Sequence, residues 1–182
     1  MNEAGRRAVL LDRDGTLISD PGYLSDPEDV ALLPNVASTL AAFAQRGYLL
    51  VVVSNQSGIG RGWITAQQAL DVHHRFVSDL AAAGVTLDGS YYCPHAPDAG
   101  CSCRKPQPGM LLDAARELGI DLRNSIMIGD SDVDIGAGAA VGAFTIRLGS
   151  DEAAPGQARP DAVAASWEEI YDIVLGQRCG HT

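Results

Sequence analysis

Asp12 and Asp14 stand two positions apart in the segment DRDGT, directly after the apolar run Ala8–Leu11. Residues i and i+2 of an extended chain point to the same side, so both carboxylates can face one ligand. In different surroundings, one carboxylate can act as a nucleophile and the other as a general acid and base. A loop whose acidic side chains are only solvated is an equally good interpretation of this motif taken alone.

A second acidic segment, GDSDVD, begins at Gly129 and carries Asp130, Asp132 and Asp134. Carboxylate oxygens are ligands that Mg²⁺ prefers, and two acidic segments that face each other without a cation would repel. Capping of the following helix by Asp132 or Asp134 is the alternative, and it leaves Asp130 unexplained. The two acidic segments together predict a Mg²⁺ site.

A glycine-rich segment and a pair of cations could bind an anion such as phosphate. The segment SNQSGIGRG combines hydroxyl and amide donors, a cation and a glycine-freed backbone, which together describe an anion cradle; its polar residues are Ser54, Asn55, Gln56, Ser57 and Arg61. Taken alone, it is as often an ordinary glycine-rich loop. Arg104 and Lys105 add positive charge before a predicted helix, and the compact charge of a lysine suits a phosphoryl oxygen.

Three cysteines and one histidine lie within eleven residues with the spacing C-x-H-x5-C-x-C: Cys93, His95, Cys101 and Cys103. Three thiolates and one imidazole complete a closed tetrahedral set for Zn²⁺, which is typical of a structural site. A group of buried free cysteines is the alternative interpretation. Because Cys103 directly precedes Arg104, a zinc site here would fix the two cations that follow it.

Short apolar runs alternate with helical patterns along the chain, which predicts an α/β fold with a parallel sheet. The predicted strands are Ala8–Leu11, Tyr48–Val53, Ser90–Cys93, Ser125–Ile128 and Phe144–Leu148. The predicted helices are Pro34–Arg46, residues 65–83, Pro108–Leu118, Asp134–Val141 and residues 166–175. Polar motifs follow the first, second and fourth strands, at the edge where parallel sheets bind their ligands. The elements therefore bring the chemical motifs to one edge.

Length and charge limit the classes of protein that fit. The chain has 182 residues and a formal net charge of -10, which predicts one domain over residues 1–182 and argues against nucleic acid as a partner. No apolar run is long enough for a membrane span, and no secretory signal is recognisable. We therefore expect a cytoplasmic protein with no membrane partner, most simply a monomer.

Four ordered motifs carry a resemblance to a known family: DRDGTL (12–17), VVVSNQSGIGRG (51–62), CRKPQPGM (103–110) and GDSDVD (129–134). In this combination the chain resembles the haloacid dehalogenase superfamily, and within it the histidinol-phosphatase and heptose-bisphosphate phosphatase family. The resemblance implies a Rossmann-like parallel sheet flanked by helices, without a cap domain and with a zinc-binding loop. The reaction it implies is Mg²⁺-dependent hydrolysis of a phosphomonoester through an aspartyl-phosphate.

The resemblance also implies a role for each motif residue. Asp12 would be the nucleophile and Asp14 the acid and then the base, while Ser54 and Lys105 would stabilise the phosphoryl group. Mg²⁺ would be held by Asp12, the Asp14 carbonyl and Asp130. The segment DPGY would contact the sugar of a small phosphorylated substrate, with further contacts from the glycine-rich segment and the cations; these substrate residues are Asp20, Pro21, Gly22, Tyr23, Ser54, Asn55, Gln56, Ser57, Arg61, Arg104, Lys105 and Ser131.

The substrate implied is D-glycero-D-manno-heptose 1,7-bisphosphate, which would lose its 7-phosphate. Such phosphatases often carry a basic residue directly after the metal-binding aspartate, where this chain has Ser131. That departure weakens the case for a second phosphate and keeps histidinol phosphate as an alternative. A nucleic-acid 3′-phosphatase shares two of the motifs but fits the acidic chain poorly. A zinc-stabilised binding module with an inactive site is disfavoured, because the five motif residues that the reaction needs are all present: Asp12, Asp14, Ser54, Lys105 and Asp130.

Overall fold

A computed structural model of the protein describes residues 5–150 and 156–176. Its central sheet has six parallel strands in the order β3-β2-β1-β4-β5-β6, the strand order of a Rossmann fold. The strands are β1 Ala8–Leu11, β2 Leu49–Asn55, β3 Gly89–Cys93, β4 Ile126–Gly129, β5 Phe144–Leu148 and β6 Ala162–Ala164. The predicted parallel α/β sheet is confirmed.

Six helices connect or follow the strands: α1 Val36–Gln45, α2 Ser57–Gly60, α3 Ala66–Ala82, α4 Gly109–Leu118, α5 Asp132–Ala140 and α6 Trp167–Leu175. Strand β2 shows why the sheet must be covered on both faces. Leu50 and Val52 belong to one buried cluster and Val51 and Val53 to a second cluster on the opposite face. In the part of the chain that the structure describes, no helix is long and apolar enough to cross a membrane.

The structure corrects the sequence prediction in its details. Helix α5 begins at Asp132 rather than Asp134, because Ser131 is its N-cap and forms a capping box with Asp134. The short helix α2 and the strand β6 were not predicted. At α6, Ser166 is the N-cap and its side chain accepts a hydrogen bond from the Glu169 amide, while the Glu169 carboxylate accepts one from the amide of Ala165.

The polar motifs meet where the strand order reverses. Strand β1 pairs with β2 on one side and with β4 on the other. From β2 the sheet continues to β3, and from β4 it continues in the opposite direction to β5 and β6. Ligands of open parallel sheets bind in the crevice that forms at such a point. Asp12, Ser54 and Asp130 each lie at the carboxyl end of one of these three central strands.

Candidate active site

Lys105 lies at the centre of the crevice, with its side chain 1% exposed. Its Nζ is 2.6 Å from Oδ1 of Asp12 and 2.5 Å from Oδ1 of Asp134, and it donates a hydrogen bond of 2.7 Å to the carbonyl oxygen of Val53. Burial by itself would lower the pKa of Lys105, but the two carboxylates outweigh it and raise the pKa. The ammonium group is therefore held in its charged form between two motifs far apart in sequence.

Three carboxylates surround this lysine. Oxygens of Asp12, Asp130 and Asp134 all lie within 4.8 Å of one another. Burial raises the pKa of Asp130 to about 6, with the Asp134 carboxylate adding to the effect, and burial likewise raises the pKa of Asp12 against the opposing charge of Lys105. Three carboxylates against one ammonium leave two negative charges, so the site fits a divalent cation with oxygen ligands such as Mg²⁺.

The close approach of the Asp130 carboxylate to the turn after β1 depends on a glycine. Gly15 has a φ of +78°, and a Cβ at this position would lie 2.3 Å from Oδ2 of Asp130. Any other residue would therefore be strained in its backbone and would push the carboxylate away. The glycine of DRDGT therefore allows the close approach of Asp130 as well as the turn.

Asp14 occupies a different environment from Asp12. The buried guanidinium of Arg13 binds both of its oxygens, with Nε 3.0 Å from Oδ1 and a terminal nitrogen 3.0 Å from Oδ2. Gln56 donates a hydrogen bond of 2.7 Å to Oδ2 of Asp14, and Ser54 Oγ lies 3.5 Å from the same oxygen. The two aspartates of the motif thus have different partners, as distinct roles in one reaction require.

Asn55 has a function that the sequence did not indicate. Its Nδ2 donates to the carbonyl oxygen of Lys105 at 3.1 Å, and its Oδ1 accepts from the amide of Lys105 at 3.0 Å. Both ends of the carboxamide therefore fix the backbone that carries the lysine. The predicted contact between Asn55 and the substrate stays a prediction.

Asp134 belongs to the acidic segment that predicts a Mg²⁺ site, although the resemblance did not imply it as a ligand, and the structure makes it one of the most buried charged groups of the crevice. Besides Lys105 it binds Ser131, whose amide and hydroxyl both donate to Oδ2 of Asp134. The hydroxyl of Ser131, predicted to contact substrate, is thereby engaged in capping α5. The signal for Asp134 was its position three residues after Ser131, the spacing of a capping box.

The four predicted zinc ligands come together. Sγ of Cys103 lies 3.2 Å from Sγ of Cys93, 3.5 Å from Sγ of Cys101 and 3.2 Å from Nδ1 of His95. All four donor atoms fall within 4.8 Å of one another. Tetrahedral Zn²⁺ with Zn–S distances of about 2.3 Å requires roughly 3.8 Å between sulfurs, and the sulfur–sulfur distances here are close to that value. Burial raises the pKa of the Cys93 thiol to about 12. The cluster fits Zn²⁺, which binds thiolates and releases their protons.

The remaining predicted substrate residues lie around the rim. Asp20 accepts a hydrogen bond from the amide of Gly22, and Tyr23 is 46% exposed. Arg61 lies over the ring of Trp63, 4.7 Å from its centroid. Arg104 lines a cavity of about 460 Å³ beside Lys105, and its buried Nη1 has no hydrogen-bond partner among the described residues. Pro21 is exposed in the same turn as Asp20, and Ser57 is partly buried at the start of α2.

Comparison with known proteins agrees with this geometry. Residues 102–170 match the HAD-hydrolase-like family, and the relatives that match most of the chain are named as phosphatases, so the protein is a phosphatase of the haloacid dehalogenase type. The chain is 39% identical over 178 residues, 92% of its length and 96% of the relative's, to D-glycero-beta-D-manno-heptose-1,7-bisphosphate 7-phosphatase from Vibrio cholerae. The protein of the same name from Photorhabdus laumondii is 49% identical over 140 residues, 73% of this chain and 74% of the relative.

A solved structure is similar over nearly the whole chain. The D,D-heptose 1,7-bisphosphate phosphatase from B. bronchiseptica, complexed with magnesium and phosphate, superimposes with a TM-score of 0.83 at 29% identity and covers 94% of this chain and 99% of its own. With these relatives, the chain belongs to the heptose-bisphosphate phosphatase family of the haloacid dehalogenase superfamily.

Proposed function

We propose that the enzyme removes the 7-phosphate of D-glycero-β-D-manno-heptose 1,7-bisphosphate with the help of Mg²⁺. The contact that supports this most directly is Lys105 Nζ, held between Asp12 and Asp134 in a crevice with two surplus negative charges. The names of the relatives that match the chain almost end to end supply the substrate. The structural relative that holds magnesium and phosphate supports the choice of metal.

In the first step, a carboxylate oxygen of Asp12 attacks the phosphorus atom and the bond to the sugar oxygen breaks. Asp14 donates its proton to that leaving oxygen, so that an alcohol departs and an aspartyl-phosphate forms on Asp12. Lys105, whose Nζ already lies 2.6 Å from Oδ1 of Asp12, neutralises charge on the phosphoryl oxygens. Ser54 adds a hydroxyl donor at the same edge.

In the second step, the carboxylate of Asp14 takes a proton from water, and the oxygen of that water attacks the phosphorus of the aspartyl-phosphate. The acyl phosphate bond breaks, which restores Asp12 and releases inorganic phosphate. Arg13 and Gln56 hold Asp14 in one orientation for both proton transfers. Asp12, Asp130 and the carbonyl of Asp14 would hold Mg²⁺, which would supply neutralisation of phosphoryl charge.

We propose Zn²⁺ as the structural metal of the loop 93–103. The fit of its three sulfurs and one imidazole nitrogen supports this, and the loop leads directly into Arg104 and Lys105. The purified protein should contain one zinc per chain by metal analysis, and Cys101→Ser should lose it. Ser102→Ala, an exposed neighbour between two ligands, is the matched control that should retain the metal. Zinc retained in full by Cys101→Ser would contradict the proposed ligand set.

A substrate panel tests the proposed reaction. Phosphate release is measured with Mg²⁺ and with EDTA from the α and β anomers of the heptose bisphosphate, histidinol phosphate, a 3′-phosphorylated nicked duplex and an aryl phosphate. We expect the β bisphosphate to exceed histidinol phosphate at least tenfold in kcat/KM, and EDTA to abolish turnover. A higher kcat/KM for histidinol phosphate would overturn the proposed substrate but not the mechanism.

We also propose a cytoplasmic location, since the grouped thiols of the zinc loop suit a reducing compartment. The proposed partner is the small phosphorylated substrate alone, with neither nucleic acid nor a membrane. The proposed monomer is tested by sedimentation across a range of protein concentrations. A concentration-dependent dimer would contradict it.

A further inference from the structure

Tyr23 lies in a backbone conformation that its side chain does not favour. Its φ is 50°, and the preceding residue, Gly22, also has a positive φ of 81°. Non-glycine residues with bulky side chains seldom adopt this left-handed region unless neighbouring groups hold them there. The loop that carries Tyr23 follows β1, the strand that also presents Asp12 and Asp14. A neighbouring group is therefore expected to hold the ring of Tyr23 in place.

The group that holds the ring of Tyr23 is the side chain of Trp63. The rings of Tyr23 and Trp63 meet edge to face with centroids 4.4 Å apart, an arrangement favoured by aromatic quadrupoles. The ring of Tyr23 also lies directly over Gly58, where a Cβ would come within 2.8 Å of Cδ1 of Tyr23. Because Gly58 has no side chain, the glycine-rich segment leaves space for the ring of Tyr23, which belongs to a different loop.

Trp63 also binds a cation on the rim. The guanidinium of Arg61 lies 4.7 Å from the centroid of the Trp63 ring, within the range of a cation–π contact. Trp63 is 57% exposed, so its ring is not part of the hydrophobic core. Its contacts instead join the loop after β1, which carries Tyr23, to the loop after β2, which carries Arg61.

We propose that Trp63 is a positioning residue that determines substrate specificity, by holding Tyr23 and Arg61 at the mouth of the active site. Neither the two aromatic rings nor the guanidinium belongs to the group of Asp12, Asp14 and Lys105 that acts on the reacting phosphate. Trp63 therefore governs binding of the part of the substrate beyond that phosphate, a hydroxyl-rich sugar with a second anionic group. This inference rests on the proposed function and extends it to a residue outside the family motifs quoted above.

The test compares an extended substrate with a minimal one. In Trp63→Ala, KM for the heptose bisphosphate should rise about tenfold with kcat within twofold, and both constants for an aryl phosphate should stay within twofold. Trp63→Phe, which keeps an aromatic edge-to-face partner, should recover most of the loss. Phe144→Ala removes another exposed aromatic ring, remote from this rim, and should leave both substrates unaffected.

A double-mutant cycle tests the contact itself. Because Trp63 acts through Tyr23 and Arg61, the double variant Tyr23→Ala with Trp63→Ala should bind the bisphosphate little worse than the single variant that binds it more weakly. Equal losses on both substrates, no loss on either, or fully additive losses in the cycle would overturn the proposal. Thermal melting separates these results from a loss of folding.

Failure of the proposed function gives a different result. Wild-type protein that hydrolyses the aryl phosphate but not the heptose bisphosphate would overturn the substrate, whatever the variants do. The Trp63→Ala comparison is then made with the panel member that has the highest kcat/KM, against the same aryl phosphate. A selective rise in KM supports the role of Trp63 there too, and its absence contradicts it.

Discussion

The Lys105 ammonium lies 2.6 Å from the carboxylate of Asp12 across 93 positions of sequence. Both groups are buried, and the second carboxylate of Asp134 lies on the other side of the ammonium. The contact links the loop after β1, the zinc loop and the start of α5 at one point. The charge balance of the site depends on this one lysine, which is also the only lysine of the chain.

Asp12→Asn should abolish catalysis and leave the fold intact. The amide is nearly the same size as the carboxylate, but it is not a competent nucleophile, so turnover should fall by at least about 10³-fold. Steady-state phosphate release and thermal melting measure the two effects. Asp113→Asn, the same change on the exposed face of α4, should retain full activity. Substantial Mg²⁺-dependent turnover by Asp12→Asn would rule out the aspartyl-phosphate.

Lys105→Met should destabilise the protein in a way that Mg²⁺ partly reverses. Removal of the ammonium leaves Asp12 and Asp134 buried without their cation, a change that costs about 3–5 kcal/mol in comparable buried pairs. A bound divalent cation offsets part of that repulsion, so Mg²⁺ should raise the melting temperature of Lys105→Met more than that of the wild type. Turnover should remain low, because the phosphoryl group still lacks the lysine. An equal Mg²⁺ effect on both proteins would contradict this charge balance.

The sequence predicted the sheet well because buried parallel strands are continuous apolar runs. Residues 48–53 form such a run, and β2 covers most of it. Strand β6 has only three residues, too few to show any period. Helix α2 contains two glycines in four residues, against its intrinsic helix propensity. Both elements exist because of tertiary contacts rather than local preference.

The sequence predicted which polar side chains lie together in the crevice, but not the contacts between them. Spacing within each motif indicated Asp12, Asp130 and the group of three cysteines and one histidine, and the ends of parallel strands meet at one edge of the sheet. The two hydrogen bonds of Asn55 reach 50 positions along the chain to the backbone of Lys105. No local pattern signals a bond of that kind, and Asn55 was instead interpreted as a substrate contact.

The stabilisation by Mg²⁺ should grow as pH rises from 5.5 to 7. Burial raises the pKa of Asp130 from 3.8 to about 6, so without Mg²⁺ this carboxyl contributes stability at low pH that is lost as pH rises through 6. Above that pH the ionised carboxylate is available to the metal. Below pH 6, lowering the pH by one unit should raise the half-saturating Mg²⁺ concentration at least about tenfold, since a proton on Asp130 competes with the metal and the raised pKa of Asp12 acts in the same direction.

Thermal melting with saturating Mg²⁺ and with EDTA, at pH 5.5 and at pH 7, measures this dependence. Asp130→Asn removes this titrating group and should make the Mg²⁺ effect smaller and less dependent on pH than in the wild type. The same rise in melting temperature at both pH values in the wild type would show that protons and Mg²⁺ do not compete at Asp130.

Gly60→Ala should separate the glycine-rich segment from the zinc loop. A Cβ at Gly60 would lie 2.4 Å from the amide nitrogen of Ala96 and 2.7 Å from the carbonyl oxygen of Pro94, and both atoms belong to the backbone. Because backbone cannot rotate aside, the loop must move, at a cost of about 1–3 kcal/mol in the free energy of unfolding. Chemical denaturation measures that cost. Phosphatase activity should fall with it, since the zinc loop leads directly into Lys105. Gly176→Ala is the matched control, because its Cβ would meet its nearest neighbour at 3.8 Å and should leave stability unchanged. If the two variants unfold alike, contact between these loops does not position the lysine.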